Sequence, residues 1–63
     1  MFNLYYFIEA SRPQLVFSGE ELKSCLYHIS TSGLNPRLCV IISPNKRKIT
    51  FAENNELIFG NVA

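Results

Sequence analysis

Cysteine, histidine and clustered cations are the residue types in this chain that could act chemically on another molecule, and each is sparse. Cys25-Leu26-Tyr27-His28 has the C-x-x-H spacing of half a metal site, and Cys39 offers a third soft ligand. A structural zinc site takes four such ligands, so Glu21 would have to complete the set. On a helix turning ~100° per residue, Cys25 and His28 also project about 60° apart. Nucleophilic catalysis would need an exposed thiol beside His28 and a third group to orient the imidazole. Both thiols fall instead within apolar runs. Two cysteines are too few for a disulfide framework, and in a reducing compartment they are expected free and buried. Gly19, Gly33 and Gly60 are isolated, so no glycine-rich phosphate loop forms. The expectation is a chain that is not an enzyme, holds no metal or cofactor, and turns over no small-molecule substrate.

The segment Asn45-Lys46-Arg47-Lys48 gathers three cations around a turn, the local feature best suited to phosphate contact. With Tyr5, Tyr6, Phe7 and Phe51 on strands, bases could stack on an open sheet beside that turn. This is the nucleic-acid reading, and it is the alternative. Six basic and five acidic residues leave a formal charge of +1, too small for a field that gathers polyanions. No aromatic-glycine RNA-binding motif occurs, and cations at a turn also keep sheet edges soluble. Lys46, Arg47 and Lys48 are therefore assigned to steering association with a protein partner or touching its acidic rim.

These residues must be positioned by a small fold. A chain of 63 residues holds one core, so residues 1–63 form a single domain. At 48% apolar and 17% charged, the composition is that of a folded protein. Ordering each residue costs roughly 1.5 kcal/mol, which one thin core barely matches, so a partner or a second copy would help.

Residues 2–10 alternate with period two, the even positions being the more apolar and Tyr5 and Phe7 making the odd face apolar as well, which predicts a strand covered on both sides. Pro13 turns the chain, and residues 14–17 form a second strand paired to the first. Ser18-Gly19-Glu20-Glu21 reads as a capping box that starts a helix at Ser18, with Phe17 and Leu22 as its staple. Leu22, Cys25, Leu26 and Ile29 make one apolar stripe, and Gly33 offers a left-handed cap after about three turns. Residues 38–42 are continuous and β-branched, a central strand. A turn at Ser43-Pro44-Asn45-Lys46 leads to a strand at 48–52 with Ile49 and Phe51 on one side and a wet opposite side. A two-residue turn at Asn54-Asn55 precedes the last strand at 56–59, after which the chain frays from Gly60. The predicted fold is α+β: a small antiparallel sheet of four to five strands with one helix on one face, in the order β-β-α-β-β-β.

One short helix cannot cover both faces of such a sheet. Tyr5, Phe7 and one parity of residues 38–42 fall on the other face, and a contiguous exposed apolar patch commonly marks an interaction site. The expected anchor is Tyr5, Phe7, Cys39 and Ile41, with Lys46, Arg47 and Lys48 beside it. The expected function is a protein-binding module that occludes a target or pairs with a second copy of itself. No run approaches the ~20 apolar residues of a membrane span, and no basic flank or cleavage pattern marks a leader, so a cytoplasmic protein is expected, with no membrane partner. Met1 and the brevity of the chain suggest a complete short reading frame of a bacteriophage or mobile element, for which inhibition of a host protein would be a natural use.

Overall fold

The alternating amino-terminal run forms the longest ladder in the molecule. A computed structural model describes residues 1–9 and 12–61. Strand β1 (Phe2–Glu9) lies between β2 (Arg12–Gly19) and β3 (Cys39–Ile42), and the sheet continues through β4 (Arg47–Phe51) to β5 (Leu57–Asn61) in the order β2-β1-β3-β4-β5. All four pairings are antiparallel. Because β2 and β3 both run opposite to β1, they run parallel to one another, and a hairpin cannot join them. Helix α1 (Leu22–Ser32) and the 3-10 turn Pro36–Leu38 make that crossover. The architecture is the expected small α+β fold, with β3 at the centre of the sheet.

The helix lays its stripe on the sheet. Cys25 and Ile29 are buried, and Leu22 and Leu26 pack beside them against Leu4, Cys39, Ile41 and Ile49. Gly33 ends the helix at φ 72, in the left-handed region where a side chain is strained. Gly19 is buried where β2 meets the helix: a Cβ there would stand 2.9 Å from the Phe17 ring and 3.0 Å from the Cβ of Ser24.

Several boundaries differ from expectation, each because strand pairing prevailed over a local signal. Ser18 does not cap the helix. Its residue pairs with Asn3, its hydroxyl donates to Asn3 Oδ1 at 2.8 Å, and β2 runs on to Gly19 opposite Phe2. Glu21 then takes the cap position with no side-chain bond, and the first turn closes from Ser24 N–H to the Glu21 carbonyl. A capping bond is worth about 1 kcal/mol, less than the ladder positions gained by extending the strand. Arg12 and Pro13, expected to turn the chain together with Ser11, instead belong to β2 at a sheet edge, where a missing N–H costs nothing; Ser11 lies outside the described residues. At the other end, Gly60 and Asn61 pair with Lys48 and Arg47 and do not fray.

Both carboxy-terminal hairpins use the same three-residue loop. Lys46 N–H donates to the Ser43 carbonyl and Ser43 N–H to the Arg47 carbonyl, each at 2.9 Å. Asn55 N–H and Ala52 N–H repeat these bonds to Ala52 and Glu56. The third loop residue has positive φ in each, Lys46 at 63 and Asn55 at 64. The turn at Asn54-Asn55 is therefore one residue longer than expected, because Glu53 joins the loop. Ser43 is buried, and its hydroxyl accepts from Arg47 N–H while donating to Asn45 Oδ1, which fixes the first loop.

Candidate interaction surface

Side chains directly opposite one another in an antiparallel ladder share a face. In β1 the even residue Leu4 faces the helix, so Tyr5 and Phe7 face away. Tyr5 pairs with Val40 and Asn3 with Ile42, while Leu4 pairs with Ile41 and Tyr6 with Cys39. The expectation that Cys39 and Ile41 stand beside Tyr5 and Phe7 is therefore corrected. Cys39 and Ile41 lie in the core at 1% and 0% exposure, and Val40 and Ile42 hold the outward positions. The sequence run 38–42 is apolar throughout, so its composition carries no parity; only the register with β1 supplies it.

A second departure enlarges the surface. Leu4 pairs with Phe17 but Tyr5 pairs with Leu15, which leaves Val16 as the extra residue of a β-bulge. Val16 and Phe17 both pack toward the helix-side core. Beyond the bulge the alternation is inverted, and Leu15 and Pro13 join Tyr5 and Phe7 on the opposite face. Tyr5, Phe7, Pro13, Val40 and Ile42 line a shallow hollow of about 210 Å³ with apolar walls. Leu15 stands at its border, 56% exposed.

The rest of that face is set by β4 and β5. Ile42 pairs with Lys48, Lys48 with Gly60, and Thr50 with Ile58, so Lys48, Thr50 and Ile58 look the same way as Val40. Ile58 is 51% exposed. The helix lies on the other side of the sheet, and so does the connection after it, since Gly33, Leu34 and Pro36 meet Ile29 and Phe51 there. Among the described residues, no segment crosses the face.

The basic cluster is divided by the same geometry. Lys46 occupies the loop, Lys48 projects onto the apolar face, and Arg47 turns to the helix side, where it borders a hollow with Phe2, Leu22 and Phe59. The strand aromatics divide as well: Tyr5 and Phe7 look outward, whereas Tyr6 and Phe51 pack against the core. The cations and aromatics are thus each split in two, Lys48 sharing a face with Tyr5 and Phe7 and Arg47 a face with Tyr6 and Phe51.

The thiols and the histidine are separated too. Cys25 is buried and donates to the Phe2 carbonyl at 3.6 Å; Cys39 is buried and donates to the Asn35 carbonyl at 3.4 Å. Both are free, and burial pushes both thiol pKa values up. His28 lies on the flank of the helix, stacked on Phe17 with ring centroids 4.6 Å apart and planes inclined by 15°. Together with Lys23, Ser24, Tyr27 and Thr31 these two rings border an open groove of about 570 Å³ between α1 and β2. Among the described residues no three of His, Cys, Asp and Glu gather, and no helix is long and apolar enough to cross a membrane.

No family model, no curated protein and no solved structure matches this chain.

Proposed function

We propose that this chain is a non-enzymatic protein-binding module whose working surface is the sheet face opposite the helix. The observation that carries the reading is the set Tyr5, Phe7, Pro13, Val40 and Ile42, five residues from three adjacent strands that meet in one open apolar hollow, Pro13 exposed and the other four half-buried. Folding places them there at the cost of leaving apolar surface in water, a cost that docking removes. Rigid aromatics and β-branched side chains lose little rotamer freedom when they are covered, which suits them as anchors. Lys48 and Thr50 supply a polar border on one side and Asn3 with Ser18 on another, the usual division between a dry centre and a wet rim. The mechanism is occlusion. A nearly flat surface with no reactive group acts by masking what it covers.

Tyr5→Ser with Phe7→Ser tests this directly. The wild-type chain is expected to bind through this face, either to a second copy of itself or to a protein retained from native cell extract, and the double variant to lose that binding while keeping the circular dichroism of the folded state. Equal binding by both would place the working surface elsewhere.

A further inference from the structure

We propose that the occupant of this face is a second copy of the chain, packed sheet against sheet about a twofold axis that lies in the plane between the two sheets. The inference rests on the docking reading above and names its partner.

Area is the first argument. Five strands spaced ~4.8 Å apart and about 20 Å long give a footprint of roughly 480 Å² per copy. Covering both faces removes on the order of 1,000 Å², the lower bound for a specific interface between proteins. Only a partner that meets the whole face reaches that figure, and another flat sheet face does so. A peptide or a single helix would cover a strip of it.

Charge is the second. Among the described residues of β3, β4 and β5, Lys48 is the one charged side chain that the register places on the face. It stands at the end of β4 beside the Ser43 to Arg47 loop, from which its ammonium group can reach water past the rim while its stem lies on the sheet. Two copies of a chain with net charge +1 repel little, so self-pairing needs no opposite field. A face dominated by neutral apolar groups is complementary to itself, which is what an isologous contact demands.

The third is the size of the core. On the helix side Leu4, Cys25, Ile29, Cys39, Ile41 and Ile49 are the buried apolar side chains among the described residues. Chains of this length commonly gain the remaining stability from disulfides, metal or oligomerisation. The thiols here are free and far from forming a framework, and pairing of the outer faces would turn a two-layer domain into a four-layer one with a second dry interior.

Sedimentation equilibrium of the intact chain from 1 to 500 μM tests the proposal. Expected is a concentration-dependent rise to twice the 7.2 kDa chain mass. Val40→Thr with Ile42→Thr, which keeps β-branched side chains in a β-strand, should weaken the association at least about 100-fold with an unchanged circular dichroism spectrum. Phe59→Lys, on the exposed edge strand and turned to the helix side, should leave it unaltered. A monomer at every concentration overturns the proposal. So does a dimer indifferent to the threonine pair, or one abolished by Phe59→Lys. If the wild-type chain is monomeric but still captures a protein that Tyr5→Ser with Phe7→Ser releases, the second copy is excluded and the docking face stands. If it is monomeric and both capture alike, the face itself is excluded.

Discussion

Gly33 shows how one residue fixes the end of an element. It holds φ 72 with open space around it, so the argument for glycine is conformational alone. Gly33→Ala is expected to cost about 1 kcal/mol and Gly33→Asn less, since asparagine tolerates the left-handed region. Urea unfolding followed by circular dichroism measures both, and a neutral alanine would contradict the backbone argument. This position was legible because its signal is local: the helical period stops at Ile29 and glycine follows within a turn. Ser18 was not legible. Ser18 and Gly19, the first half of the capping-box pattern, also continue the strand, and the choice between them depends on Asn3, fifteen residues away, whose side chain accepts from the Ser18 hydroxyl.

At the scale of elements, the two hairpin loops are the same device built from different residues. Each places its third residue at positive φ, Lys46 in the first and Asn55 in the second. Lysine pays the steric cost of that conformation and asparagine pays less. Lys46→Gly is therefore expected to stabilise the fold by up to about 1 kcal/mol, and Asn55→Gly by a smaller amount, read as a shift of the urea midpoint with an unchanged slope. A destabilised Lys46→Gly would mean that the lysine side chain contributes more than its backbone costs. The stripe of α1 and the alternation of β1 were readable because each has a period that its own residues display. The bulge at Val16 was not, since a bulge is a property of two strands: the ladder pairs seven residues of each eight-residue strand, passing over Val16 in β2 and Ile8 in β1, and nothing in residues 12–19 marks which.

For the whole molecule, the two buried thiols couple stability to alkaline pH. Burial raises both pKa values above the ordinary thiol value of 9.0, so the folded state holds these protons more tightly than the unfolded chain does. Below that value the thiols are neutral in both states and their contribution is intact. As pH rises past it the unfolded chain ionises first, and the contribution is lost progressively as pH climbs through the raised folded values. Stability is thus expected to fall as pH rises above the ordinary thiol value of 9.0 and to fall less in Cys25→Ala with Cys39→Ala, measured against each protein's own value at pH 7. Native thiols should also resist alkylation at neutral pH and react once urea unfolds the chain. The amino-acid sequence by itself determined that the fold is α+β, that one helix with a single apolar stripe packs on an antiparallel sheet, and that the strands carry more apolar residues than this helix can cover. Which of those residues remain uncovered was decided by tertiary structure alone. Facing in a sheet depends on register, and register is set between strands: pairing Tyr5 with Val40 sends Cys39 and Ile41 inward, and one unpaired valine brings Leu15 and Pro13 to the outer face.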